Sequence, residues 1–253
     1  MTDSRSRLDR RSTERRSTDR SGDRTVDTYW SDQRPPNVVG ARVGTSLGRQ
    51  VVRRWQVEVT GRHHVPRSGP VILASNHMAI LDGPMLIICS PRTSHALVKR
   101  ELFQGPQRWL LEAVGQISVD RDEVDPRAVK RSLAVLGAGR ALAIYPEGKR
   151  GRGDLATVKR GAAYLALCTG APVVPVACLG TRSSVGTIES LPPRGQRIAV
   201  SFAEPLQFPA TPWPRTRASV GEATEQLASA MRTHLQETLD RTGLALPDSE
   251  RPT

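Results

Sequence analysis

The sequence contains no long apolar run and no apolar leader. No stretch reaches the ~20 apolar residues that a membrane-spanning helix needs. The charged N-terminus lacks the apolar segment of a signal peptide. We therefore expect a cytoplasmic protein with no signal peptide and no transmembrane helix. Any membrane association should be peripheral, on the inner face of the cell membrane.

Aromatic residues and cysteines are also few. The three Phe and three Tyr are scattered, which provides no stacking platform for single-stranded nucleic acid, and we expect no nucleic-acid partner. The three cysteines are Cys89, Cys168 and Cys178. Their apolar surroundings and the lack of close pairing predict small buried hydrophobes and no bound metal. Their odd number favours a reducing compartment.

Positive charge is abundant. Lys and Arg together number 37 against 25 Asp and Glu, which gives a net charge of +12 and a pI near 10.8. This balance indicates an anionic partner. Phosphate head groups, an anionic bilayer surface, an acidic carrier protein and nucleic acid all have the required charge, and composition does not choose among them.

Residues 1–36 differ in composition from the rest of the chain. They are rich in Arg, Ser, Thr and Asp, and the pentad at 11–15 is nearly repeated at 16–20. Such a segment cannot bury a core, so we expect a solvated, disordered tail. A basic tether for anionic surfaces is the alternative. The remaining residues, 37–253, suit one domain.

Residues 39–55 have the pattern of a basic amphipathic helix. Apolar residues recur every four positions, and arginines occupy the other faces. The apolar stripe consists of Val43, Leu47, Val51 and Trp55. Such a helix either lies in a membrane interface or packs its stripe on the domain. The pattern leaves both possibilities open.

From residue 56 onward, short apolar runs alternate with segments of helical periodicity. This alternation predicts an α/β fold, a single domain whose mostly parallel, mixed sheet is flanked by helices. A final amphipathic helix is expected at about 216–242. The predicted strands include 56–60, 69–74, 95–99, 141–145, 173–177 and 197–202.

A histidine and a carboxylate follow the second predicted strand. His77 comes just past its carboxyl end, the edge at which α/β sheets bind ligands. A histidine can accept a proton from an attacking hydroxyl, and Asp82 is placed to orient it. Two structural interpretations compete: His77 as a buried structural group, and Asp82 as a helix N-cap with Pro84 in the first turn.

Two further polar clusters follow other strands. Asp120 and Arg121 end a short apolar strand, and Arg suits phosphate binding, although an exposed ion pair is the simpler interpretation. The loop 145–151 follows a strand directly and contains Gly148, Lys149 and Arg150. Because these clusters end different strands of one sheet, we expect them to meet in one crevice.

In this order the motifs resemble those of the glycerophospholipid acyltransferase family, whose best-known members are 1-acylglycerol-3-phosphate acyltransferases. Four blocks match over about 57–205: Asn76-His77 through Asp82, Gly115 through Arg121, Tyr145 through Arg150, and Val174 through Ala177. The first block alone is a weak signal, whereas the ordered set is specific. Ser118, Lys149 and Gly151 depart from the family's usual residues.

The resemblance implies an activity and a set of roles. An acyl group moves from acyl-CoA or acyl-carrier protein to the free hydroxyl of 1-acyl-sn-glycerol 3-phosphate, giving phosphatidic acid, with no cofactor. His77 acts as general base and Asp82 orients it. Contacts to the acceptor and its phosphate fall to Lys99, Arg121, Glu147, Gly148, Lys149 and Arg150, and supporting positions to Asn76, Gly115, Asp120, Pro146 and Pro175.

Three alternatives stay open. A member of the same family could acylate another acceptor, such as glycerol 3-phosphate or a different lysophospholipid. A non-catalytic protein that binds anionic lipid or nucleic acid would account for the charge alone. A hydrolase could use the same His-Asp pair on water.

Overall fold

The computed structural model describes residue 36 and residues 38–121, 125–183 and 186–247. Apart from Pro36, the predicted tail at 1–36 lies outside these residues. The strands are β1 (Gln56–Thr60), β2 (Val71–Ser75), β3 (Ser94–Lys99), β4 (Ile117–Val119), β5 (Ala141–Ile144), β6 (Val173–Leu179) and β7 (Arg197–Phe202). The helices are α1 (Val38–Val52), α2 (Asp82–Cys89), α3 (Arg108–Ala113), α4 (Pro126–Gly137), α5 (Gly161–Thr169) and α6 (Arg217–Thr242).

The strands form one sheet in the order β1-β7-β6-β2-β5-β3-β4. β2 to β6 run parallel to one another, whereas β7 is antiparallel to β6, and β1 is parallel to β7. The mostly parallel, mixed sheet is therefore confirmed. The carboxyl ends of these five parallel strands lie at one edge of the sheet, where the side chains that follow them can meet.

The sheet separates two apolar layers. All five residues of β2 are buried, as expected for a strand covered on both faces. Ile72 and Ala74 face a cluster that also contains residues of α4, α5 and α6. Val71 and Leu73 face a second cluster with α2 and the end of α1. His77 lies in the first turn after this strand, which is buried on both faces.

Helix α1 does not pack its whole apolar stripe on the domain, whereas the membrane-interface alternative stays a prediction. Trp55 is buried and its indole N–H donates to the Pro192 carbonyl at 3.1 Å, but Val43 and Val51 are exposed. The inward face is instead built on glycines. A Cβ at Gly40 would lie 1.9 Å from the Ala113 carbonyl oxygen, and a Cβ at Gly48 would lie 2.5 Å from the Ile88 side chain. The lack of side chains lets α1 approach α3 and α2 closely.

Replacing Gly40 by Ala should therefore destabilise the protein, even though Ala favours helix. We expect the free energy of unfolding to fall by about 1–3 kcal/mol, because the Ala113 carbonyl is backbone and cannot move aside. Gly221, inside α6 with open space around its Cβ position, is the matched control. Gly221→Ala should raise stability by about 0.5–1 kcal/mol. Equal effects in urea unfolding would contradict the close packing of α1.

Candidate active site

The sheet edge brings His77 and Asp82 together. β2 ends at Ser75, and α2 begins at Asp82. His77 Nδ1 lies 2.9 Å from Asp82 Oδ2, with Asp82 buried and His77 6 % exposed. Because a carboxylate only accepts, Nδ1 carries the proton and donates it to Asp82. Nε2 is then the basic nitrogen, able to accept a proton from a hydroxyl group.

Asp82 is positioned by donors that replace its lost hydration. Its Oδ2 also accepts the backbone N–H groups of Met78 at 2.5 Å and Ala79 at 2.8 Å. Its Oδ1 accepts the hydroxyl of Thr181. A buried carboxylate needs such donors to stay ionised. The N-cap of α2 is Leu81, so the interpretation of Asp82 as an N-cap is wrong.

Thr181 is a site residue that the sequence analysis missed. It follows β6, whose carboxyl end lies at the same edge as that of β2. Its side chain is buried and aimed at Asp82 rather than at solvent. The signal was a polar residue directly after a buried strand, the same signal that identified His77.

Thr181→Val keeps the shape of the side chain and removes its hydroxyl, so Asp82 Oδ1 loses a donor. The penalty of about 1–3 kcal/mol for an unsatisfied buried acceptor, expressed in the transition state, corresponds to roughly a 5- to 150-fold loss of turnover. The loss should appear in kcat with little change in the KM for the acceptor. Thr181→Ser should restore most of the activity. A fully active Val variant would show that this hydrogen bond does not support the histidine.

The segment after β5 holds His77 from both sides. The ring of Tyr145 stacks on the His77 ring with centroids 4.1 Å apart and planes inclined by 25°. Glu147 Oε1 accepts the backbone N–H of His77 at 2.7 Å, and the His77 carbonyl accepts the N–H of Gly151 at 3.0 Å. These contacts fix the histidine by its ring and by its backbone.

Burial raises the pKa of Glu147 to about 7, and the nearby carboxylates of Asp154 and Asp82 add to this effect, while the His77 N–H opposes it. The folded protein therefore holds a proton that the unfolded chain releases near pH 4.5. The stability that this proton provides is complete below pH 4.5. It is lost as the pH rises through about 7.

Glu147→Gln should remove this dependence. Between pH 4.5 and 7 the stability of the wild type should fall relative to that of the variant, by up to about 3 kcal/mol. Chemical unfolding at several pH values measures the difference. Glu225→Gln, at an exposed position of α6, is the control and should show no such trend. Parallel pH curves for wild type and Glu147→Gln would contradict the raised pKa.

Asn76 connects the histidine segment to β6. Its side-chain oxygen accepts the N–H of Cys178 at 2.8 Å, and its amide donates to the Cys178 carbonyl at 3.1 Å and to the Gly153 carbonyl at 3.3 Å. The whole side chain is buried. Asn76 therefore acts on the geometry of the segment rather than on a ligand.

The predicted cationic residues fall into separate groups. Lys99 ends β3 and lies 3.5 Å from Glu101. Arg150 lies 3.3 Å from Glu189 and donates to the Ile188 carbonyl. Lys149 is exposed.

Arg121, Asp120, Pro146 and Gly148 line one cavity. Asp120 also pairs with Arg100 at 3.0 Å, a partner that the sequence analysis did not name.

Two predicted supporting residues lie away from this group. Gly115 precedes the amino end of β4, has a φ of +71°, and accepts a hydrogen bond from the His95 ring at its carbonyl. That is the opposite edge of the sheet from His77. Pro175 lies inside β6, in register with Ala74 of β2. Both contribute to the sheet and its turns, and the structure does not bring them to the His-Asp pair.

The cavity lies between the strand ends and helices α4 and α5. Its volume is about 420 Å³, and it extends to Tyr145, the residue stacked on His77. Its walls are mainly apolar, including Leu97, Val129, Ile144 and Leu165. Its charged lining consists of two cations, Arg121 and Lys159, and two carboxylates, Asp120 and Asp125. The Lys159 ammonium donates to the Arg121 carbonyl at 3.3 Å. The apolar walls suit an acyl chain.

The three cysteines are free and buried, as predicted. Burial raises the pKa of the Cys89 thiol to about 11, so it stays protonated near neutral pH. In the described parts of the chain, no three His, Cys, Asp or Glu side chains gather as metal ligands would. Likewise, none of the helices described combines the length and apolarity needed to cross a bilayer.

The position of the His-Asp pair on this sheet, and the residues around it, agree with one family. The chain resembles the glycerophospholipid acyltransferases: the family model described as Acyltransferase matches residues 56–179, which run from β1 to the end of β6. Several relatives carry the name 1-acyl-sn-glycerol-3-phosphate acyltransferase. The protein of this name from Bacillus subtilis is 28 % identical over 191 residues, covering 73 % of this chain and 92 % of the relative.

Relatives from two other organisms give similar matches. The 1-acyl-sn-glycerol-3-phosphate acyltransferase of Borreliella burgdorferi is 31 % identical over 132 residues, or 51 % of this chain and 53 % of the relative. The human alpha enzyme is 34 % identical over 129 residues, or 48 % and 44 %. The chain thus spans about half the length of these two relatives.

A solved structure shows the same fold. It is that of the 1-acyl-sn-glycerophosphate (LPA) acyltransferase PlsC from Thermotoga maritima, which superposes with a TM-score of 0.62 at 20 % identity. The match covers 78 % of this chain and 79 % of that one. The predicted acyltransferase-like architecture is therefore confirmed.

Proposed function

We propose that the protein is an O-acyltransferase that acylates the free hydroxyl of 1-acyl-sn-glycerol 3-phosphate, giving phosphatidic acid for phospholipid synthesis. The acyl donor is acyl-CoA or acyl-carrier protein, which serves as co-substrate, and no cofactor takes part. The observation that carries the proposal is the His77–Asp82 pair at 2.9 Å, at the sheet edge beside an apolar cavity with basic residues.

The reaction follows from the protonation of His77. Nε2 takes the proton of the acceptor hydroxyl as its oxygen attacks the thioester carbonyl carbon. The tetrahedral intermediate collapses, the carbon–sulfur bond breaks, and the thiolate leaves. The imidazolium then returns the proton to the sulfur. Asp82 stabilises the imidazolium throughout, and no covalent acyl-enzyme is needed.

The cavity supports a lysophospholipid acceptor. An acyl chain gains about 0.8 kcal/mol for each CH₂ that it buries, and the walls of the cavity are mainly apolar. Arg121 and Lys159 supply positive charge for a phosphate ester, while the two carboxylates of the lining are engaged elsewhere, Asp120 with Arg100 and Asp125 as the N-cap of α4. Lys99 and Arg150 add cationic charge at the ends of neighbouring strands. This arrangement fits an anionic lipid better than it fits glycerol 3-phosphate, which has no chain.

The donor and the location complete the proposal. Both acyl-CoA and acyl-carrier protein are anionic, in keeping with the net charge of +12. A lipid acceptor is presented at a bilayer, so we place the protein on the cytoplasmic side, in peripheral contact with the inner face of the cell membrane.

The test is thiol release from acyl-CoA by the purified protein. Release should depend on added lysophosphatidate and should be weaker with glycerol 3-phosphate or neutral lysolipids. Preference for another lysophospholipid would keep the reaction and change the acceptor. Thiol release that is independent of any acceptor, with free fatty acid as product, would replace the proposal by hydrolysis.

A further inference from the structure

The His77 ring has two neighbours of different kinds. At the edge of the ring, Nδ1 lies 2.9 Å from Asp82 Oδ2. One face of the ring is covered by the ring of Tyr145, with centroids 4.1 Å apart and planes inclined by 25°. His77 is buried, so water screens these contacts little. A proton taken up by His77 therefore meets a carboxylate at the ring edge and π-electrons at the ring face.

The part of Tyr145 that acts on His77 is its ring rather than its hydroxyl. Tyr145 follows directly on β5 and packs against the apolar cluster that contains residues of α2. Its hydroxyl oxygen is buried and has no hydrogen-bond partner among the described residues. Burial, and to a smaller extent the charge of Asp82, raises the pKa of this hydroxyl well above its usual value, so the phenol stays neutral. The contact that remains is the stacking.

Stacking on an aromatic ring favours the protonated form of a histidine. The face of an aromatic ring carries negative charge density, which attracts a cation within about 6 Å of the centroid. The attraction is stronger where both groups are shielded from water. A neutral imidazole has no net charge for the face to attract, so the stacked ring raises the affinity of the histidine for a proton. That affinity is what a general base uses in the reaction.

The other titratable groups near His77 act in different ways. Asp82, at the start of α2, carries the negative charge at the ring edge. Glu147 accepts the backbone N–H of His77 at 2.7 Å, and burial raises its pKa to about 7. Cys178 of β6, beside Asp82, is a neutral thiol because burial raises its pKa well above the usual value. Arg182 follows β6 and donates to a backbone carbonyl of the loop after β5. Among these groups, Tyr145 alone is in stacking contact with the imidazole.

We propose that Tyr145 is a positioning residue that makes His77 a stronger base, because its ring stabilises the imidazolium through a cation–π contact alongside the charge of Asp82. The inference rests on the proposed function where it concerns the reaction, in which His77 takes up the hydroxyl proton. The contact itself is a property of the protein without substrate. Loss of the ring should therefore weaken His77 as a base whether or not substrate is bound.

A nuclear magnetic resonance titration of the full chain measures the protonation of His77 directly. The chain has five histidines, and the signal that disappears in His77→Gln belongs to His77. Tyr145→Leu should move its titration midpoint to lower pH by about 0.5–1.5 units, because the protonated form loses its stacking partner. Tyr145→Phe keeps the ring and should leave the midpoint nearly unchanged. The midpoints of His63 and His64 are internal controls and should be the same in every variant.

Fluorinated phenylalanines in place of Tyr145 separate the π-electrons from the volume of the ring. Fluorine withdraws electron density from the face and changes the shape of the ring little. From phenylalanine through its para-fluoro to its trifluoro analogue, the midpoint of His77 should fall in steps towards that of Tyr145→Leu. Equal midpoints along this series would overturn the proposal and leave Tyr145 with a packing role. A fall in Tyr145→Phe as large as in Tyr145→Leu would also overturn it, by assigning the effect to the hydroxyl.

Initial rates at several pH values connect the contact to the reaction. In Tyr145→Leu the acid limb of kcat/KM should move to lower pH by the same amount as the titration midpoint. The plateau above it should fall by about 3- to 10-fold, since a weaker base accepts the hydroxyl proton less readily. Tyr164→Leu is the matched control. Tyr164 lines the same cavity, but its ring contact is with Arg215, so this change should leave the acid limb in place whatever its effect on the rate.

The titration and the rates fail independently, which separates this proposal from the proposed function. If the wild type transfers no acyl group but the midpoint of His77 follows the fluorinated series, the contact with Tyr145 stands and the acyltransferase proposal fails. If the wild type transfers acyl groups and the midpoint is the same with and without the ring, the acyltransferase proposal stands and the role of Tyr145 is overturned.

Discussion

His77→Ala is expected to reduce acceptor-dependent thiol release by about 10²-fold or more, the range typical of lost general-base catalysis. The substitution removes Nε2, the nitrogen left to accept the hydroxyl proton because Nδ1 is committed to Asp82 at 2.9 Å. The effect should be on kcat, since the acceptor is bound by other groups. Initial rates at saturating acceptor measure it.

His63→Ala is the control for this change. His63 is exposed in the short helical turn Arg62–His64 and makes a ring contact only with His64 among the described residues. Its loss should leave the rate unchanged. Retention of activity by His77→Ala, with normal stability, would remove the histidine from the reaction and with it the proposed mechanism.

Asp82→Asn is expected to produce a loss of the same order or larger. The amide oxygen can still accept from His77, Met78 and Ala79, and the amide NH₂ can donate to Thr181, so the substitution removes charge with little change of shape. At an effective dielectric constant of about 20, opposite charges ~4 Å apart attract by about 4 kcal/mol. Losing that attraction to the imidazolium should lower kcat by about 10³-fold.

The control is Asp240→Asn, at an exposed position near the end of α6. It should change neither rate nor stability measurably. Circular dichroism and thermal unfolding establish whether Asp82→Asn folds. A folded Asp82→Asn protein with kcat near that of the wild type would show that the buried carboxylate has only a structural role.

Much of the fold could be predicted because buried parallel strands appear in the sequence as short, continuous apolar runs. The continuous apolar residues of β2 and β6, and the glycines and prolines between elements, indicated the sheet and the alternation of helices. The antiparallel direction of β7 could not be predicted, since the side-chain pattern of a strand is the same in either direction. The mixed sheet was expected, but which strands run against the rest was not.

Helix α1 shows where periodicity misleads. The apolar stripe had the spacing of a packing face, and its Trp55 is buried. Val43 and Val51 are exposed, however, and the helix packs through its glycines, because three missing side chains allow closer backbone contact than valines do. Apolar spacing identifies a helix face. It does not identify the partner of that face, which is a property of the neighbouring helices.

For the candidate site, too, some features could be predicted from the sequence and others could not. His77 and Asp82 were evident from residue type, short spacing and their position after a strand. The bond from Thr181 to Asp82 joins residues far apart in the chain, and the stacking of Tyr145 on His77 depends on the order of the strands. The sequence also did not show that Arg150 lies outside the cavity that Arg121 lines. The order of residues in a loop does not determine on which side of His77 each side chain lies.

The most direct test of the central claim is to identify the product. Purified wild type, His77→Ala and Asp82→Asn proteins would receive acyl-CoA and lysophosphatidate, with phosphatidic acid and free fatty acid measured by mass spectrometry. The account predicts phosphatidic acid as the main product of the wild type, at one hundredth of that rate or less in both variants. Undiminished phosphatidic acid from His77→Ala, or fatty acid as the sole product of the wild type, would contradict it.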